Sequence, residues 1–306
     1  MLPYFPFGED AFKMTLGVQA LFPDCLIEID EERYRAELAL KHELLRTAYA
    51  DYFQAAPGSE ALQWEAIELL LPNMARHFPQ HFALNVEGKH WRWHNHLLAT
   101  ETVFTPGDPD SFSLPPLDWL GRQVQEDLLL LSGDAASGMP LVAGQLCFPN
   151  AWWLQEKLGK SFLDIHHEVP LFAERLGRSS SLLLERLKVD RPIWRVNWAC
   201  KTTPHLNLIP RFAREALQSA GELTVENVGE RCFLRIERQT LSRLPRTKGI
   251  LFTIHTYQAP LAEVAQDAVH ARYMAGVIRT TPGETLAYKG MAPFTQALLA
   301  YLETRY

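Results

Sequence analysis

A chain of 306 residues, 47% hydrophobic and 22% charged, has the length and composition of a globular protein with a sizeable core. Its net charge is −6 and it carries no run of Lys and Arg, which argues against nucleic acid as the main partner because phosphate neutralisation needs clustered cations. No stretch of 18 apolar residues occurs, so no membrane span is expected, and MLPYFPFGEDAFKM lacks the basic start and long apolar run of a secretion signal.

Residues 1–30 are rich in Pro and Phe and read as an extended arm. Two helices are expected over 30–80, with apolar residues at three- and four-residue steps, broken by PGSE, with Ser59 as a cap for the second. FALNVEGKHWRWHN, residues 82–95, reads as a hairpin, and PLDWLGRQVQEDLLLLSG, residues 116–133, as a helix closed by Gly133. LVAGQLCFP begins a different texture near residue 140: a short apolar strand, then helical pieces broken at Gly159, then helical spacing through VPLFAERLGRSSSLLLERL. Three strands follow, 193–200, 232–241 and 250–258, the last two joined by SRLPRTKG as an antiparallel hairpin. The end, 260–306, is helical again, with interruptions at TTPGE and GMAP.

The pattern predicts an α+β fold in three parts. Residues 1–140 form an arm, helices and hairpin packed on the core, residues 141–258 form the core, and residues 259–306 are a helical extension. The order of one strand, short helices, then three strands resembles PAS domains, whose antiparallel sheet and short helices enclose a small-molecule pocket.

The four cysteines, Cys25, Cys147, Cys200 and Cys232, are far apart and form no CxxC or CxxCH. Free thiols in a reducing cytoplasm are expected, without the usual spacing of structural zinc, iron–sulfur or covalent c-type haem sites. His94 and His96 would share a strand face but have no third ligand at characteristic spacing, and His77 and His81 lack the glutamate of HExxH and flank Pro79. Serine or cysteine nucleophile chemistry, a Walker loop and GxGxxG have no motif here.

KLGKSFLDIHHEVP contains the most distinctive pair, His166 and His167. Adjacent residues do not share a face, so together they chelate a single metal poorly. The apolar FLDI before them and Pro170 after them suit one inward imidazole on a rigid junction, the geometry a haem iron asks of a proximal ligand. Asp164 or Glu168 would orient its second nitrogen. The alternative is a pair of plain loop histidines.

FLRIERQTLSRLP places Arg235 and Glu237 on one strand face and Leu234, Ile236 and Arg238 on the other, with Arg243 in the turn. Such arginines suit carboxylates, including haem propionates, or a charged edge strand. On the neighbouring strands Arg195 pairs with Asn197, and His255 and Tyr257 share a face and can meet a ligand.

These stretches resemble one family. CFPNAWWLQEKLGKSFLDIHHEVP, RVNW, LRIERQTLSRLP, ILFTIHTYQAPL and YKG (288–290) follow in order the pattern of the haem-binding α-subunit of haem-dependent oxidative N-demethylase, from about Phe5 to the C-terminus. The resemblance implies a PAS-like domain holding haem b through a histidine. It implies O2-dependent demethylation of a small secondary amine, such as dimethylamine, to a primary amine and formaldehyde. Electrons would come from NADPH through FMN and an iron–sulfur cluster on a separate reductase subunit. The iron ligand of the family falls on His166, with His167 as the alternative, since the family commonly has another residue at the latter position. Arg195, Arg235, Arg238 and Arg243 are then expected at the haem edge, and Glu237, His255 and Tyr257 in the catalytic pocket. A haem-binding PAS-type sensor or carrier without turnover is the competing expectation.

Overall fold

The computed structural model describes residues 2–306. In the N-terminal part the chain runs β1 (Gln19–Ala20), α1 (Glu31–Thr47), α2 (Tyr49–Tyr52), β2 (Phe53–Ala55), α3 (Glu60–His77), β3 (Phe82–Glu87), β4 (His90–Asn95), β5 (Thr100–Phe104) and α4 (Pro116–Gly121). Then come β6 (Asp127–Leu131), β7 (Leu141–Gln145), α5 (Leu154–Lys157), α6 (Phe162–Ile165), a π-helical turn over Ala173–Gly177, and α7 (Arg178–Arg186). The rest is β8 (Ile193–Lys201), α8 (Pro210–Gln218), α9 (Val228–Arg231), β9 (Phe233–Arg243), β10 (Ile250–Pro260), α10 (Leu261–Val264), α11 (Ala268–Thr280), α12 (Gly283–Tyr288) and α13 (Thr295–Glu303).

Seven strands form one antiparallel sheet in the order β1-β8-β9-β10-β6-β7-β2, and β3-β4-β5 form a second, small one. Five of these strands, β6 and β7 before the short helices and β8, β9 and β10 after them, make the PAS-like core. β10 is paired between β9 and β6. Strands on both sides of residue 140 therefore share one sheet.

The helix expected over 116–133 ends at Gly121, and DLLLL becomes a strand buried along its whole length. A short apolar run does not distinguish a buried strand from a buried helix. The break has two causes. A Cβ on Gly121 would sit 2.3 Å from Gln145 Oε1, and the fully buried Lys41 ammonium ties the turn that follows. It donates to the carbonyls of Gly121 (2.7 Å), Val124 (3.1 Å) and Glu126 (2.7 Å). The first predicted helix likewise stops early, and Phe53–Ala55 pairs with β7 at the sheet edge. Ser59 stands at the start of α3 without capping it: its hydroxyl donates to the Ala56 carbonyl instead. The predicted hairpin forms as β3–β4 and gains β5. In the arm, β1 pairs with the start of β8.

Pleating gives the sheet two different faces. One carries Trp194, Val196 and Trp198 of β8, Leu234, Ile236 and Arg238 of β9, and His255 and Tyr257 of β10. It is covered by the arm, the N-terminal helices and α11–α13 through two large apolar clusters. The other is apolar at one end, where Ile193, Leu241, Ile254 and Leu129 pack with Leu154, Leu184 and Leu187 of the α5–α7 segment. Farther along β8 and β9 that face turns polar, with Arg195, Asn197, Glu237 and Gln239.

Candidate functional site

His166 closes α6, and the chain around it is fixed from both sides. Lys157 of α5 donates to the Ile165 carbonyl at 3.0 Å and lies 3.5 Å from Glu168. Gly159, at φ +76°, makes the left-handed turn between α5 and α6 that a side chain would strain. The His166 ring stacks on Phe172 at 4.6 Å and 17°, and Phe162 lies against it at 4.5 Å.

The hydrogen bonding of this ring decides its tautomer. Nδ1 lies 2.8 Å from the Phe162 carbonyl oxygen, which only accepts, so Nδ1 carries the proton. Nε2 is left with its lone pair and has no hydrogen-bond partner among the described residues. Burial pushes the imidazole below its ordinary 6.5, and the charges of Arg195 and Lys157 act the same way, so the ring is neutral at pH 7. A neutral imidazole whose Nδ1 is held by a carbonyl is the form that ligates a metal through Nε2.

His167 differs in each respect. It is exposed, its Nδ1 lies 2.7 Å from the Asp164 carbonyl, and Glu168 is 3.9 Å from its Nε2. The expectation that Asp164 or Glu168 orients the inward ring is corrected. The Asp164 carboxylate accepts from Ser161 at 2.6 Å, Glu168 faces Lys157, and a backbone carbonyl orients His166.

On the polar sheet face, Asn197 stands opposite Glu237 and Arg195 opposite Gln239. Glu237 accepts from Asn197 at 3.2 Å and Gln239 at 3.1 Å, with Arg235 Nε at 3.5 Å. Arg195 makes no hydrogen bond or ion pair among the described residues, and its Nε is buried without a partner. Leaving a buried donor unpaired costs about 1–3 kcal/mol, so this guanidinium is placed for an acceptor the chain does not supply. Tyr288 senses the charges of both Glu168 and Glu237, which puts the YKG turn beside the same face.

The other arginines have their terminal nitrogens engaged by the chain, although Arg238 Nε, in ion-pair range of Glu28, makes no hydrogen bond. Arg235, fully buried, donates to the carbonyls of Leu206 (3.0 Å) and Phe148 (2.6 Å) and to Thr256 Oγ1 (3.3 Å), tying two loops to β9. Arg243 donates to the carbonyls of Leu187 (3.1 Å), Lys248 (2.6 Å), Leu184 and Glu185 (3.3 Å), and so caps the end of α7. Arg238 donates to the carbonyls of Cys25 (2.7 Å) and Leu26 (3.3 Å) and pairs with Glu28 at 3.2 Å.

His255 and Tyr257 join Arg238 on the opposite face, stacked on each other at 4.2 Å. His255 Nδ1 is 2.9 Å from Glu126, and the Tyr257 hydroxyl donates to Glu28 at 2.6 Å. Burial alone would lower the His255 imidazole, but Glu126 outweighs it and holds the group above 6.5. The single pocket expected for Arg195, Glu237, Arg238, His255 and Tyr257 is therefore split by the sheet. Alternation along each strand was legible, but only the β9–β10 register, with His255 opposite Arg238, decides which faces coincide. Lys157, Lys201 and Lys289, which line or hold this region, carried no motif signal beyond KLG and YKG.

A haem asks for one neutral imidazole on its iron and for cations on its two carboxylates. The free Nε2 of His166 and the unpaired Arg195 fit that demand. The engaged donors of Arg235, Arg238 and Arg243 do not. A cleft of about 680 Å³ between α3 and the 107–116 loop, lined by Trp64, Phe112 and Arg246, contains none of these residues. Among the described residues no group of three His, Cys, Asp or Glu is placed to hold a bare metal ion, and His94 instead faces Glu101 at 3.3 Å. All four cysteines are free, and among the described residues no helix is long and apolar enough to cross a membrane. The profile of the family "Haem-dependent oxidative N-demethylase, alpha subunit-like" matches residues 17–299, nearly the whole length, and the chain belongs to that family.

Proposed function

We propose that this chain is the haem-carrying catalytic unit of an oxidative N-demethylase for a small secondary amine such as dimethylamine. Family membership carries oxidoreductase-type enzymatic activity in general terms. The finer reading rests above all on one observation: a neutral imidazole at His166 with Nδ1 committed to the Phe162 carbonyl and Nε2 unpartnered.

In this reading His166 Nε2 holds the iron of haem b, and Arg195 takes a haem carboxylate on its unpaired Nε. When bound, haem supplies the chemistry by which O2 oxidises an N-methyl group, giving a primary amine and formaldehyde. Glu237 holds the alkylammonium charge, and Asn197 and Gln239 fix the orientation of its carboxylate. The amine must lose a proton before oxidation, and a Glu237 oxygen is the acceptor on this face. Electrons come from NADPH through FMN and an iron–sulfur cluster on a reductase partner. Aldehyde formation from dimethylamine, with haem-loaded protein and a reductase, tests this directly. A Soret-bearing protein that consumes no amine under those conditions would leave a haem carrier or sensor.

A further inference from the structure

Two lysines meet where β8 ends. Lys201 Nζ donates to the Lys289 carbonyl at 3.1 Å, and Lys289 Nζ donates to the Trp198 carbonyl at 2.7 Å, 4.5 Å from the centre of the Trp198 ring. Neither ammonium lies within 4.0 Å of a carboxylate among the described residues, and both are half-buried. They line a cavity of about 100 Å³ together with Leu208, Ala213, Leu217 and Phe294, largely apolar groups. The space suits a molecule of a few heavy atoms. A lysine desolvated among apolar groups and beside other cations is the form that acts as a nucleophile toward carbonyl compounds.

We infer that Lys201 captures a small aldehyde reversibly in this cavity. The inference rests on the proposed function only for the source of the aldehyde, which is the product released on the adjoining face. The Lys201 nitrogen lone pair forms a C–N bond to the carbonyl carbon. The C=O π pair moves to oxygen, which takes a proton from the nitrogen and gives a carbinolamine. Loss of water gives an imine, and water returns the aldehyde, so no oxidant or reductant is consumed. Burial, with Arg235 next and Lys289 after it, brings Lys201 down to about 8, and burial together with Arg195 brings Lys289 down to about 8 against the pull of Glu237.

The test uses the purified full chain, isotopic formaldehyde added at a molar equivalent, and cyanoborohydride to reduce any imine to a stable methyl-lysine located by peptide mass. At pH 7.5 Lys201 should be labelled at least about tenfold ahead of the exposed Lys89 and Lys188. That preference should shrink toward pH 10, where ordinary lysines also deprotonate. Label spread evenly over surface lysines, or confined to Lys289, would overturn the assignment. Because the aldehyde is added, the result does not depend on turnover. Lys201 labelling without amine oxidation supports the capture site and counts against the demethylase reading. Amine oxidation without Lys201 labelling does the reverse.

Discussion

Arg195 and Arg243 make opposite predictions from the same residue type. Replacing Arg243 by Met removes donors from four carbonyls, those of Leu184, Glu185, Leu187 and Lys248, at a residue that is 7% exposed. Each charge-assisted bond contributes about 1.5–3 kcal/mol, part of which is offset by the cost of burying the cation. The expected loss of stability is therefore about 3–5 kcal/mol, read as a lower denaturant midpoint at unchanged slope. Replacing Arg195 by Met removes no hydrogen bond and relieves a buried unpaired donor, so stability should change by less than about 1 kcal/mol. Haem affinity should instead fall. One charge-assisted contact to a carboxylate at about 1.5–3 kcal/mol corresponds to roughly 10- to 150-fold in Kd. Urea titration of both variants and haem titration by absorbance supply the two readouts. If Arg195→Met unfolds the protein as readily as Arg243→Met and leaves haem affinity untouched, the distinction between an engaged and a waiting arginine is wrong.

Glu237→Gln preserves shape and should raise KM for the amine at least about tenfold with an unchanged haem spectrum, since a charge pair to the ammonium is lost while Asn197 and Gln239 keep partners. Lys41→Met should cost about 3–5 kcal/mol in chemical denaturation, because three backbone carbonyls around the β6 entry lose their donor at once. His255, facing Glu126 with Glu37 and Glu28 nearby, keeps its proton to higher pH in the folded chain than in the unfolded one. Its contribution to stability is complete below 6.5 and is lost as pH rises through the raised value. Denaturation midpoints measured across that rise should fall, and His255→Gln should flatten the slope over the same interval; an unchanged slope contradicts the ion pair.

How far the sequence discloses this arrangement depends on the range of the forces involved. Strands β8, β9 and β10 and helices α11 to α13 follow from alternation, helical spacing and breakers, all set within a few neighbouring residues. DLLLL is different: helix and strand both bury it, and the choice is made by Lys41, some eighty residues earlier, together with Gln145 of the adjacent strand. The apolar FLDI marked one of the two imidazoles as inward, and the family resemblance, not the spacing, favoured His166 over His167. The partner of the His166 Nδ1 was not visible, because nothing in the spacing favours the Phe162 carbonyl over the Asp164 carboxylate. The arginines show the same limit. Sequence marks Arg195, Arg235, Arg238 and Arg243 alike as cations on or near strands, whereas carbonyls at residues 148 and 206 engage Arg235, one at residue 25 engages Arg238, the end of α7 engages Arg243, and Arg195 is left unpaired.

The most direct measurement is the absorption spectrum of haem-reconstituted protein, ferric, reduced and under CO, for the unmodified chain, His166→Ala and His167→Ala. An intense Soret band with a histidine-type reduced–CO shift is expected in the unmodified chain and in His167→Ala, and its loss in His166→Ala with folding intact by circular dichroism. A His166→Ala protein that keeps the same haem spectrum, or an unmodified chain that takes up no haem on titration, would contradict haem ligation through His166.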